Sequence, residues 1–226
     1  MSWLIDNFDL VARLTANHAL LSLIPIVLGF AIAVPLGWVA NRWQPIRSWI
    51  IAGGSILYTI PSLPLFVILP YIIGTRITDE RNIVIALTIY ALAILIRTVA
   101  DAFAAVPADS VEASRAMGYS AWNRFWKVEF PLAGPVLLAG MRVVSASTIA
   151  LVSVGAIIGS ANLGYLFTNG KQRDFLTEIL VGIGASFLIA LVFDIVLVLL
   201  GRVLMPWNRR NSPIMSSRRT LAMRGA

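Results

Sequence analysis

The stretch Glu112-Ala113-Ser114-Arg115-Ala116-Met117-Gly118, followed after nine residues by Val128-Glu129-Phe130-Pro131, is a polar island in an apolar chain. Asp109 or Ser110 can cap a helix beginning near Val111, where Glu112 in the first turn suits the helix dipole. Gly118 can end that helix, because without a Cβ it accepts the left-handed conformation. Ser120 can cap a second short helix through Trp122, Phe125 and Trp126, which Pro131 is expected to stop. The predicted product is a compact helical elbow, charged in its first half and aromatic in its second. Within lipid such a segment has no energetic justification, so something outside the membrane must grip it.

Everything around the elbow reads as membrane. The chain has 226 residues, 58% hydrophobic and 13% charged, with a mean hydropathy of +0.83. An ordinary soluble domain carries about 25% charge. Apolar runs cover 19–40, 49–73, 83–100, 135–158 and 176–204. Each holds enough residues, at about 1.5 Å rise, to cross about 30 Å of hydrocarbon. The expected fold is therefore an all-α membrane protein of five transmembrane helices, with the elbow between the third and fourth. Residues 1–17 place Asp6, Asp9, Arg13 and Asn17 on one helical face and Trp3, Leu4, Phe8, Val11 and Leu14 on the other. That pattern predicts an external amphipathic helix lying along the lipid surface, separate from a membrane domain over 18–204. Asp6 and Asp9 stand where a signal peptide would carry basic residues, and the following run is too long for an h-region.

The net charge of +7 is concentrated at one end, in Arg202, Arg209, Arg210, Arg218, Arg219 and Arg224. A basic tail over 205–226 beside the last span suits anionic lipid, not nucleic acid. Placing the C-terminus in the cytoplasm also puts Arg42, Arg47, Arg115, Arg124 and Lys127 inside and most carboxylates outside. The chain is then a multi-pass protein of the cell membrane, with an external N-terminus and a cytoplasmic segment 107–134. There are no cysteines and one histidine, His18, so neither a disulfide nor a histidine-based metal site is expected.

The elbow carries a resemblance. Glu-Ala-Ala, three residues, Gly, nine residues, Ile, one residue, Leu-Pro is the pattern of permease subunits of ATP-binding-cassette importers. Glu112, Ala113, Gly118 and Pro131 match it at that spacing, while Ser114, Val128 and Phe130 replace Ala, Ile and Leu. The resemblance implies the type I importer permease fold, an elbow that docks on an ATPase subunit, and ATP bound only by that partner. It further implies two ATPase subunits, an extracytoplasmic solute-binding protein, and a second permease, either another copy or a sister chain. Glu112 would meet an Arg or a backbone N–H of the ATPase, and small Ala113 and Ser114 would let the helix seat deeply. The chain itself has no phosphate-cradling loop of Walker type, so it is not expected to be an enzyme.

A narrower likeness follows. Val154-Gly155-Ala156-Ile157-Ile158-Gly159, then Asn162-Leu163-Gly164, resembles permeases for glycine betaine, choline, carnitine and related osmoprotectants. Tyr58-Thr59-Ile60-Pro61-Ser62-Leu63-Pro64 resembles the second-span break of the same group. Permeases for methionine or another amino acid are the alternative. The Pro61–Pro64 break reads either as a pathway-lining interruption carrying Tyr58, Thr59 and Ser62, or as a packing kink. Thr148, with Ser145, Ser147 and Ser153, would line a polar path or bond to neighbouring helices. Asp194, inside the fifth span, needs a partner. Arg142 lies at a comparable depth, roughly 10–14 Å, on the fourth span; Arg97 is the second candidate. An ion-coupled secondary transporter would carry repeated halves and more membrane carboxylates, and an intramembrane enzyme a nucleophile–base set. Neither pattern is visible.

Overall fold

The computed structural model describes residues 2–211, and the regular structure among them is entirely helical. A short α1 (Ser2–Asp6) leads into α2 (Phe8–Arg42), 35 residues long and uninterrupted despite Pro25 and Pro35. The boundary expected at residue 17 is absent, and the chain breaks at Asn7 instead. The reason is phase: Val11, Leu14, His18, Leu21, Ser22 and Pro25 form one continuous buried stripe. Val11 and Leu14 pack on Ile149, Leu163, Leu166 and Ile189, so this apolar face is covered by protein and not by lipid. Asp9 and Arg13 are exposed on the other side.

The second apolar stretch is a bent pair, α3 (Gln44–Thr59) and α4 (Ser62–Ile73), whose axes differ by 101°. Pro61 has no N–H to continue the first helix and sits in an extended conformation, φ −64°, ψ 139°. The carbonyl of Ile60, freed by the break, accepts a hydrogen bond from the Tyr90 hydroxyl. A broken helix at membrane depth persists only when its loose backbone groups find such partners.

Tyr90 belongs to α5 (Glu80–Ala104), which starts at an Asp79 cap accepting the Arg81 N–H at 2.9 Å. After α6 (Ala108–Ala116), α7 (Ala121–Arg124) begins a long rod. It continues through a π-helical turn, Phe125–Glu129, into α8 (Phe130–Val152) and a 3₁₀ turn, Ser153–Ile158. A short α9 (Gly164–Gln172) precedes α10 (Leu176–Leu204). Four rods, 8–42, 80–104, 121–158 and 176–204, are each long and apolar enough to cross a membrane, and the bent pair is the fifth. The chain is described up to Asn211; the rest of the predicted basic tail, 212–226, lies outside the described residues.

The bundle is centred on α5. Gly29, Ala33, Gly37 and Ala40 form a stripe of small residues along α2 that presses against it. A Cβ added to Gly29 would stand 2.6 Å from the Ala91 Cβ, and one on Gly37 would stand 2.5 Å from Val99 Cγ1. Between lipid-embedded helices the attraction is close van der Waals packing, and small residues permit it. By contrast, only 6% of the most apolar window of α10 is buried, leaving Phe187, Leu188, Leu199 and Leu200 as a face for lipid.

At the end away from the elbow, His18 fastens α2 to two other elements. Its Nδ1 accepts the Leu163 N–H at 3.3 Å, which leaves Nε2 to donate to the Ile149 carbonyl at 3.0 Å. Asn17 adds bonds to Glu80 Oε1 at 2.7 Å and to the Ala161 carbonyl at 2.6 Å.

Gly29→Ala and Gly37→Ala are expected to cost about 1–3 kcal/mol by overpacking. Gly184→Ala, on α10 with nothing within 4 Å of the new Cβ, should be neutral or slightly stabilising. Melting temperatures of the purified variants in detergent measure the difference.

Candidate functional site

The elbow begins where α5 ends. Helix α6 starts at Ala108, three residues before the predicted Val111, and its N-cap is Pro107 and not Asp109 or Ser110. Pro107 wins because its fixed φ (−57°) and missing donor suit the entry to a helix. Its carbonyl receives the N–H groups of Ser110 and Val111 at 3.1 and 3.3 Å. Asp109 thus falls in the first turn, near the positive end of the dipole. At the other end Gly118 has φ +79°. Its N–H donates to the Arg115 carbonyl at 2.9 Å, and the Tyr119 N–H donates to Ser114 at 3.1 Å. This double closure needs a left-handed residue, which glycine supplies without strain.

Glu112, Ala113, Arg115, Met117 and Gly118 are exposed together on the outer side of α6. Ser114 is not: it is 1% exposed, and its hydroxyl donates to the Val111 carbonyl at 2.6 Å. Its small size therefore serves the packing of α6 on its own chain, while Glu112 and Ala113 remain on the accessible face.

Ser120 caps α7 by accepting the Asn123 N–H at 3.3 Å. The helix then continues past Pro131, against the expectation that this proline would end it. The π turn is the physical reason. The Phe130 N–H reaches back five residues to the Phe125 carbonyl, and the widened turn leaves room for a ring without a donor. Val128 and Pro131 are half-buried on this rod, and Glu129 is buried.

The π turn also creates a contact that helical periodicity conceals. Arg124 and Glu129 are five residues apart, on different faces of a regular α-helix. Here Arg124 Nε donates to Glu129 Oε1 at 2.6 Å, with both side chains nearly enclosed. The other oxygen, Oε2, accepts the indole N–H of Trp38 on α2 at 2.6 Å. A polar cavity of about 200 Å³, lined by Trp38, Asn41, Arg42, Arg115, Arg124 and Glu129 among others, lies between elbow and bundle. Phe125 packs edge-on against Trp38 at 5.2 Å and against Trp126 at 4.8 Å, and lies tilted to Phe103 at 5.7 Å. Trp122 and Trp126 carry this aromatic cluster to the surface. Position 129 is a spacer in the sequence pattern, and nothing in the spacing distinguishes it.

Within the spans, Arg142 Nε and Nη2 donate to the two carboxylate oxygens of Asp194 at 2.5 and 2.9 Å, joining α8 to α10. Arg97 takes no part in that pair. Tyr58, Thr59 and Pro61 are exposed around the α3–α4 bend, and Ser62 is half-buried. Thr148 is 2% exposed and packed inside the chain, and Ser147 opens onto a groove with Ser55 and Tyr58. The fourth-span hydroxyls point in different directions because a helix turns about 100° per residue. Among the described residues no group of three metal-ligating side chains exists.

Five apolar spans centred on α5, with a projecting helix–glycine–helix elbow between the third and fourth, define an importer permease subunit. The chain belongs to the family of binding-protein-dependent transport system inner membrane components, whose pattern it matches over residues 26–211. It is 31% identical over 207 residues to the osmoprotectant import permease protein OsmW of Salmonella typhimurium, covering 90% of this chain and 96% of that one. It is 26% identical over 209 residues to the glycine betaine/carnitine/choline transport system permease protein OpuCD of Bacillus subtilis, covering 92% and 90%. Among solved structures, a chain of the inward-facing MetNI methionine ABC transporter aligns with a TM-score of 0.71 at 22% identity, over 87% of this chain and 95% of that one. An amino acid ABC transporter solved with histidines aligns at 0.72 and 16% identity, over 88% and 96%. These two establish the fold as that of type I ABC importer permeases.

Replacing Glu129 by Leu strands a buried guanidinium and a buried indole N–H, a loss of about 3 kcal/mol or more. Limited proteolysis within 105–125 should become markedly faster, whereas Glu112→Leu, on the exposed face, should leave that rate unchanged. At Asp194, replacement by Leu leaves Arg142 charged against hydrocarbon. The Arg142→Leu/Asp194→Leu pair should melt higher than Asp194→Leu alone.

Proposed function

We propose that this permease moves a small osmoprotectant across the cell membrane: glycine betaine, choline, carnitine, proline betaine or a related quaternary ammonium solute. A separate extracytoplasmic binding protein delivers the solute, and two ATPase subunits bind and hydrolyse the ATP. A second permease, identical or sister, completes the pathway, since five helices around a filled centre enclose no channel. The N-terminus is external, and the elbow and C-terminus are cytoplasmic. The gathering of Arg42, Arg47, Arg115, Arg124 and Lys127 at the elbow end supports that orientation.

The observation that carries the reading is the outer face of α6. Glu112 and Ala113 are exposed beside the Gly118 turn, while Ser114 is buried on the opposite face and the Glu129 network ties the second half of the elbow to α2. A lever needs both an open grip and a stiff attachment. Closure of the ATPase pair draws two such elbows together, and the permeases change from inward-open to outward-open. The substrate class rests on the named relatives and on the Val154–Gly164 and Tyr58–Pro64 stretches. Methionine or another amino acid is the alternative cargo, supported only by structural neighbours at or below 22% identity. Tyr58, Thr59, Pro61 and Ser62 line the pathway in this account.

The test is recruitment. The wild-type chain should co-purify with its ATPase, and Glu112→Lys or Gly118→Trp should reduce the recovered ATPase by at least about tenfold, a loss of ~1.4 kcal/mol or more in docking. Undiminished recovery with both variants, together with intact solute-stimulated ATP turnover, refutes the coupling role.

A further inference from the structure

Arg97 lies seven residues inside the elbow end of α5, about 10 Å deep by helical rise. It is exposed, and it makes no hydrogen bond or ion pair with any described residue. The carboxylates of Asp101 and Asp194 each hold another arginine. Asp101, one turn further along α5, accepts from Arg47 Nη2 at 2.7 Å, and Asp194 is held by both nitrogens of Arg142. An arginine in a span without a counter-ion is costly unless it faces water or a charged ligand.

What Arg97 faces is a groove of about 270 Å³ between α3, α5 and α8, lined by Ser55, Tyr58 and Ser147 and, for its greater part, by apolar side chains such as Ile51, Ile94 and Val143. Tyr58 is largely exposed there, and its ring meets Tyr90 edge to face at 6.4 Å. The Tyr90 hydroxyl is committed to the Ile60 carbonyl, so the Tyr58–Tyr90 pair is anchored to the helix break. The groove therefore offers an unpaired cation fork, an aromatic surface and the Ser147 hydroxyl, while the Ser55 hydroxyl donates to the Ile51 carbonyl at 3.0 Å.

We propose that this groove is a transit site for a zwitterionic solute, in which Arg97 binds the carboxylate and Tyr58 receives the quaternary ammonium group. A guanidinium pairs with a carboxylate through two parallel N–H donors. An aromatic face attracts a quaternary ammonium by cation–π interaction, more strongly when water is excluded. Ser147 adds a hydroxyl donor to the carboxylate. The site rests on the osmoprotectant reading and sharpens it: solutes with a carboxylate pass, and a purely cationic solute such as choline meets an uncompensated positive charge.

The experiment uses the complete transporter in liposomes, with its binding protein, and measures ATP-driven uptake of labelled glycine betaine and of choline. Arg97→Gln should lower glycine betaine uptake by about tenfold, the loss of one charge-assisted pair. Choline uptake should be unchanged or rise, so that the ratio of glycine betaine to choline uptake falls by about tenfold or more. Arg97→Lys should retain most of the betaine uptake, and Tyr58→Phe more of it than Tyr58→Leu. Undiminished betaine uptake in Arg97→Gln, equal loss with Arg97→Lys, or failure of Arg97→Gln to assemble with the ATPase overturns the site. A wild-type transporter that carries neither solute overturns the osmoprotectant reading itself, a distinct failure.

Discussion

The elbow is joined to the spans through one carboxylate. Glu129 is gripped on one oxygen by Arg124 at 2.6 Å and on the other by the Trp38 indole at 2.6 Å. Both side chains of the ion pair are nearly enclosed, and a hydrogen bond in such surroundings is stronger than in water. Through Trp38 the elbow is tied to α2, and through the glycine stripe α2 is locked to α5. The second half of the elbow is therefore linked by consecutive contacts to the centre of the bundle.

The π turn makes this arrangement possible and shows why an irregular helix can be the better-fitted one. A regular α-helix from Ala121 onward would set Arg124 and Glu129 on different faces and bring the Pro131 ring against the carbonyl four residues earlier. One widened turn removes both conflicts. The aromatic rings of Phe125, Trp126 and Phe130 fill the space around it, from the enclosed Trp38 contact out to the exposed Trp122. Stiffness and amphipathic placement come from the same few residues.

The bundle distributes charge with similar economy. Three intramembrane or near-membrane arginines have neighbours that decide their roles: Arg47 holds Asp101, Arg142 holds Asp194, and Arg97 faces a groove. The first two neutralise carboxylates and pin α3 to α5 and α8 to α10. Because those carboxylates are occupied, the third cation remains available to a ligand. The bend at Pro61 contributes by presenting Tyr58 on the same groove, while Tyr90 satisfies the carbonyl that the bend exposes.

Composition and hydropathy alone settled the class of this molecule, its apolar runs and the existence of the elbow. The limits 176–204 were readable to the residue, and Gly118 announced its left-handed turn, because both follow from local rules of burial length and backbone sterics. Other features depended on contacts between distant segments. Whether the apolar face of residues 8–17 meets lipid or protein is invisible in its periodicity, since either partner rewards the same pattern. The glycine stripe on α2 acquires meaning only beside Ala91 and Val99. Glu129 and Trp38 are 91 residues apart and find each other only when two helices pack. Helical spacing also hid the Arg124–Glu129 pair, because the turn that aligns them is not α-helical. Local chemistry writes the elements; the choice of partner for each buried polar group belongs to the packed whole.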